Sequence, residues 1–130
     1  MSTRQLLLVG IAILVSAVCG VAVGQKMQEQ YVQIAEIEID PAQLEAYNAA
    51  VREQIETAIR LEPGVLVLYA VSEKDNPAHI RVFEIYASAE AYRAHLEAPH
   101  FKKYKAVTEK MVKSLRLVQT DPVMLGAKAR

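Results

Sequence analysis

Apolar positions recur at two different periods along this chain, and the switches between them mark out its elements. "YVQIAEIEI", Tyr31 to Ile39, alternates apolar with polar and is rich in β-branched residues, which predicts a strand. In the "DPAQ" that follows, Asp40 suits a helix N-cap, Pro41 the first helical position, and Gln43 stands at capping-box spacing. Leu44, Tyr47, Val51, Ile55, Ala58 and Ile59 then fall on one helical face, with Asn48 on its edge. "EPG", Glu62 to Gly64, stops that helix.

The period then shortens again. Val65 to Val71 is a short apolar run closed by the turn-rich "SEKDNP", and "HIRVFEIY", His79 to Tyr86, is a third strand, so the two are compatible with a hairpin. Ser88 can cap a second helix that runs to about Glu97. Pro99 cannot extend that helix but can open another, expected to reach Val112 or Lys113. Ser114 to Gln119 reads as a final strand, and residues 120–130 as an irregular tail.

Strand, helix, strand, strand, broken helix, strand is the order of an α+β, ferredoxin-like split β-α-β fold: an antiparallel sheet with helices on one face, over residues 31–119. The strands are apolar on both faces, with Ile80 and Val82 on one and Phe83 and Ile85 on the other. The second face therefore needs cover, and two copies packed sheet to sheet would supply it, so a homodimer is expected.

Residues 1–30 change the picture of where such a domain would work. Arg4 precedes an apolar run from Leu6 to Val23, then small residues at Ala22 and Gly24, the pattern of a signal peptide over residues 1–24 cut before Gln25. Residues 25–30 form a polar linker. The expectation is an exported protein, periplasmic or secreted; the alternative is membrane anchoring by residues 6–23. Cys19 raises lipid attachment, but bulky Val18 stands where a lipoprotein site wants a small residue. Cleavage would leave no cysteine, hence no thiol for catalysis or metal binding. Fifteen basic and fifteen acidic residues balance, which gives no electrostatic case for nucleic acid.

Candidate chemistry concentrates between Glu84 and Tyr104. His95 shares the inward helix face with Ala91 and Tyr92, whereas His100 lies on the border of the apolar arc that begins at Phe101. Glu84 alternates with Ile80, Val82 and Tyr86 on a mostly apolar strand face, so its carboxylate must be paired or partly neutralised there. A Glu84–His95 pair would orient an imidazole as general base toward a phenol or an acidic C–H. The same residues fit a plainer reading: a satisfied core histidine, a helix-start histidine, tyrosines that only pack, and an Asn48 that is merely solvated. His79, His95 and His100 show no metal-ligand spacing, and no Gly-rich phosphate loop or nucleophile elbow is present.

The stretch "VFEIYASAEAYRAHLEAPHFKKY" resembles the antibiotic biosynthesis monooxygenase superfamily, most closely its quinol monooxygenase-like members, in which a strand with Glu and an aromatic precedes a helix with Ala-His-Leu and then Pro-His-Phe or Pro-His-Met. "EPGVLVLYAV" is similar to the family's Glu-x-Gly-x-x-x-Tyr segment, and with "AEIEIDPAQLEAY" the resemblance covers Tyr31 to Val118. It implies a dimeric α/β-barrel with one pocket per subunit, and oxygenation of a quinol or polyphenol by O2 with neither metal nor other cofactor. The resemblance makes Glu84, Tyr86, His95 and His100 the pocket candidates; joined with the reading of the residues themselves, Glu84 and His95 are expected to be catalytic, and Tyr86, His100, Asn48 and Tyr69 to bind substrate. Two departures stand out: many members have Trp where Tyr86 stands, and most lack an export signal. The superfamily also holds isomerases, haem degraders and proteins without activity, so a small-ligand-binding or stress-associated module and a cofactor-free isomerase of a small carbonyl compound stay open beside the oxygenase.

Overall fold

The computed structural model describes residues 29–130; the signal-peptide or anchor segment, Cys19 and most of the 25–30 linker lie outside the described residues. The elements run β1 (Tyr31–Ile39), a 3₁₀ turn (Pro41–Gln43), α1 (Leu44–Leu61), β2 (Val65–Ser72), β3 (His79–Tyr86), α2 (Ala89–Glu97), α3 (Pro99–Thr108) and β4 (Val112–Thr120). The four strands form one antiparallel sheet in the order β2-β3-β1-β4. This is the α+β, ferredoxin-like architecture the pattern predicts.

Local chemistry sets the boundaries. The Asp40 carboxylate accepts from the Ala42 N–H at 3.1 Å and from the Gln43 side chain at 3.0 Å, so the chain makes a 3₁₀ turn before α1 starts. Ser88 Oγ accepts from the Ala91 N–H and caps α2. Ala98, with φ −65° and ψ 138°, has the extended backbone that the residue before a proline prefers, and it alone separates α2 from α3.

One boundary and one register differ from expectation. The third helix ends at Thr108 rather than near Val112, because β1 claims the residues that follow: Val112 pairs with Ile39, and the Asp40 N–H bonds to Met111 O at 2.9 Å. Helical periodicity is present in Met111 and Val112, but the ladder to β1 overrides it. The second difference lies at the start of β2, where Val65 pairs with Tyr86 but Val67 pairs with Ile85, so Leu66 is an extra residue. Val65 and Leu68 therefore both point to the helices, whereas Tyr69 and Val71 point away.

The core lies between the helices and the inner face of β1, β2 and β3, with Ile39, Tyr47, Ala58, Leu68, Ile80 and Tyr86 all buried. Each such aliphatic side chain contributes roughly 1.5–3 kcal/mol relative to an exposed one. Gly64 lets α2 come down on the end of α1: a Cβ there would stand 2.7 Å from the Ala91 Cβ, closer than two carbons can approach. Among the described residues no helix packs extensively on β4, and Leu115 and Leu117 stay 44% and 48% exposed at that edge.

Candidate active site

A cavity of about 270 Å³ opens between the helices and the inner sheet face, at the small end of ligand pockets. Ala35, Ile37, Leu68 and Val82 form its floor, Phe101, Tyr92 and Tyr104 its aromatic walls, and Leu115 and Leu117 border it from β4. Its polar groups come from Gln33, Glu84 and Tyr86 on the sheet and from Gln54, Tyr92, His95, Tyr104 and Lys105 on the helices.

The sheet side holds a fixed carboxylate. Gln33 stands opposite Glu84 in the β1–β3 ladder and donates from Nε2 to Glu84 Oε2 at 2.7 Å, while the Tyr86 hydroxyl donates to Oε1 at 2.9 Å. Gln119 donates to the Tyr31 hydroxyl, which donates to Gln33 Oε1, so the Gln33 amide has its nitrogen turned to Glu84. Burial pushes the Glu84 carboxyl above its usual range, against the opposing pull of Gln33, Tyr86 and nearby His95. Burial also pushes the Tyr86 hydroxyl far up, helped by the Glu84 charge, so Tyr86 is a neutral donor. Its one proton is committed to Glu84.

The helix side is organised by Glu62, which the sequence reading placed at a helix stop and at the head of a family-like segment but gave no part in the site. Glu62 caps the C-terminus of α1 with an extended backbone, φ −106° and ψ 103°. Its Oε2 lies 2.7 Å from His95 Nδ1 and 2.7 Å from His100 Nε2, bringing together the ends of α1, α2 and α3. The other His95 nitrogen, Nε2, lies 3.1 Å from Gln54 Nε2. His95 is 1% exposed and sits against Phe101 and Tyr86, at ring separations of 4.7 and 5.4 Å.

The expected Glu84–His95 hydrogen bond is thus replaced. Both residues line the cavity, but both ring nitrogens of His95 are engaged by Glu62 and Gln54, and both Glu84 oxygens by Gln33 and Tyr86. The remaining candidates disperse. His100 shares Glu62 but borders a separate pocket of about 40 Å³. Asn48 borders a shallow depression with Arg52 and Val71 rather than the cavity beside His95. Tyr69 is 59% exposed on the opposite sheet face, turned out by the extra residue in β2.

The sequence reading also passed over Gln54 and Tyr104. The Tyr104 hydroxyl lies 2.6 Å from that of buried Tyr47, and burial raises both phenols. With Tyr47 donating, the Tyr104 proton is free for a ligand in the cavity. The signal for both was helical spacing: Gln54 stands three residues after Val51 and four before Ala58, on the buried stripe of α1. Linear spacing does not show which potential metal donors the fold brings together. Among the described residues, Glu62, His95 and His100 place one donor atom each within 4.8 Å of one another.

Residues 30–107 match the family model described as antibiotic biosynthesis monooxygenase. A solved candidate antibiotic biosynthesis monooxygenase from Bacteriodes thetaiotaomicron is 50% identical, superposes with a TM-score of 0.75, and is matched over 78% of this chain and 97% of its own. A candidate monooxygenase from Lactobacillus acidophilus is 31% identical with a TM-score of 0.68, over 69% of this chain and 43% of its own. At 22% identity, a structure from Caulobacter crescentus with a TM-score of 0.70, over 75% of this chain and 93% of its own, shares the fold. No curated protein matches the chain. With more than half its length covered by the family model and a half-identical relative of the same architecture, the chain belongs to the antibiotic biosynthesis monooxygenase family.

Proposed function

We propose that the protein is an O2-dependent monooxygenase of a small dihydroxy-aromatic, a quinol or polyphenol, with the chemistry in the cavity beside His95. Family membership supports a monooxygenase-like role. The observation that carries the finer reading is an imidazole 1% exposed on the wall of an apolar, aromatic-sided cavity, with its Nδ1 held 2.7 Å from a carboxylate. Glu62 accepting from Nδ1–H leaves the lone pair on Nε2, the nitrogen beside Gln54. A substrate hydroxyl that takes the place of the Gln54 amide meets a general base.

In this reading His95 Nε2 removes a phenolic proton, and the ring anion passes one electron to O2. Radical and superoxide combine at a ring C–H, the peroxide takes the proton back from His95, and elimination of water leaves a carbonyl. One oxygen atom ends in the quinone and one in water, and the substrate supplies all four electrons. Tyr104 donates to the developing oxyanion, and the apolar floor excludes water. Glu84 fixes Gln33 and Tyr86 and shapes the sheet wall.

Oxygen uptake with a reduced naphthoquinone tests this. Loss of a general base costs about 10²–10⁴ in rate, so His95→Ala should fall to the spontaneous background while circular dichroism stays native. Full activity in that variant removes His95 from the chemistry; turnover that persists without O2 indicates an isomerase; and tight binding of unchanged ligand indicates a binding module.

The reading includes a homodimer. The outer sheet face carries Val67, Tyr69 and Val71 beside Phe83 and Ile85, and Tyr69 and Val71 are 59% and 61% exposed. Two such faces packed together would cover them. Export belongs to the same proposal, with residues 1–24 as its signal.

A further inference from the structure

Two histidines and a glutamate from three different helix ends converge on one point, and the proposed oxygenase chemistry leaves His100 without a part. Glu62 Oε2 lies 2.7 Å from both His95 Nδ1 and His100 Nε2, and the three side chains are 16%, 1% and 14% exposed. Water therefore solvates this cluster poorly, while all three donor atoms lie within 4.8 Å of one another. Ligands around a tetrahedral ion stand about 3.3 Å apart when each bond is about 2.0–2.1 Å. A small rotation of the Glu62 carboxylate away from the two rings opens that spacing, and neither helix has to move.

Gln54 supplies a second, independent observation. Its Oε1 is buried and finds no hydrogen-bond partner among the described residues, although its amide abuts His95 Nε2. As the amide stands, it donates to Nε2, which places the His95 proton on Nδ1, toward Glu62. Half a turn of the amide presents Oε1 to an Nε2–H instead and pairs the bare oxygen. With the proton on Nε2 alone, the Nδ1 lone pair faces the Glu62 carboxylate, an arrangement that a metal ion between them relieves, as a second ring proton also would. A histidine that donates its second N–H to an amide oxygen while the first nitrogen binds metal is the usual outer-shell pattern.

We infer that Glu62, His95 and His100 form a binding site for a divalent first-row transition metal of the Zn²⁺ and Co²⁺ class, with Gln54 as the outer-shell residue that orients His95. The two imidazoles and one carboxylate are the donor set such ions take, and three protein ligands leave a fourth position for solvent. Mg²⁺ and Ca²⁺, which want six or more oxygens, are excluded by the nitrogens. Metal on Nδ1 also fixes the proton on Nε2, so the cavity nitrogen of His95 becomes a donor in place of an acceptor. The site thus competes with the base role rather than serving it.

The test needs no turnover. Co²⁺ is titrated into the purified full-length chain carrying Cys19→Ser, so that the lone thiol supplies no ligand, and the visible d–d bands and bound stoichiometry are read. The expected result is one Co²⁺ per chain with the intensity of a four-coordinate ion, displaced by equimolar Zn²⁺. His100→Gln and Glu62→Gln should each abolish the bands, and Gln54→Leu should weaken binding about 10- to 100-fold, with circular dichroism confirming that each variant is folded. Absence of stoichiometric bands in the parent chain overturns the site, and so does binding of undiminished strength in a folded His100→Gln protein. Because no activity is measured, failure here leaves the oxygenase reading standing, and failure of the oxygenase assay leaves this one standing.

Discussion

Glu84 sits in mid-strand with both carboxylate oxygens occupied by neighbours on its own sheet; Glu62 sits at a helix end with one oxygen shared by rings from two other helices. Both lie near His95, and both are shielded from water. Their partners decide what each can do. Gln33 and Tyr86 have no charge to exchange, so Glu84 is a buffer-like fixture of the sheet wall whose own ionisation is resisted by burial. Glu62 faces imidazoles, so it governs which nitrogen of His95 carries a proton. A carboxylate's position on an inward face tells less about its role than the kind of donor it meets.

The sharpest way to break this contrast is to remove each charge in turn. Glu62→Gln should lower oxygen-dependent turnover roughly 100-fold by loosening the tautomer and orientation of His95, whereas Glu84→Gln should cost less than about tenfold. Steady-state kinetics on both decide it: a reversed order would return Glu84 to the role the sequence first gave it. The helix end can also be disturbed without touching a polar atom. Gly64→Ala drives a methyl into Ala91 and pushes α2, and His95 with it, off Glu62; the expected loss is about 1–3 kcal/mol of stability, read by denaturant unfolding.

A subtler experiment compares wild type with Glu84→Gln across pH. Burial raises the Glu84 pKa in the folded state, so the native protein holds that proton longer than the unfolded chain does. Between the ordinary carboxylate value and the raised one, stability is lost as pH rises. Thermal melts from about pH 4 to about pH 7 should therefore show wild type losing ground to Glu84→Gln as pH increases; a constant gap would mean that Glu84 ionises freely. Smallest of all, Gln33→Leu removes a donor that favours the charged carboxylate, and should move the Glu84 titration further up when followed by carboxyl NMR.

Much of the fold was legible because its signals are local. Alternation in Tyr31–Ile39 and His79–Tyr86, the Asp40-Pro41 start, the Ser88 cap and the Pro99 break each depend on a few neighbouring residues. What escaped depends on register. No sequence period announces that Leu66 is an extra residue in β2, yet that residue turns Tyr69 from the cavity face to the outer one. The inward placement of His95 and Glu84 on the cavity was readable from spacing. Their separate partners were not, because Glu62 and His95 are 33 residues apart and meet only when α2 settles on Gly64.

The interruption at Ala98-Pro99 has a rotational consequence. Each helical residue advances about 100° around the axis, so on an unbroken helix positions 95 and 100 would point about 140° apart, facing different parts of the molecule. One extended residue between α2 and α3 cancels that divergence and aims both rings at the same oxygen. In this chain a proline acts less as a terminator than as a phase shift, and the five-residue separation of the two histidines carries geometric meaning only once that shift is included.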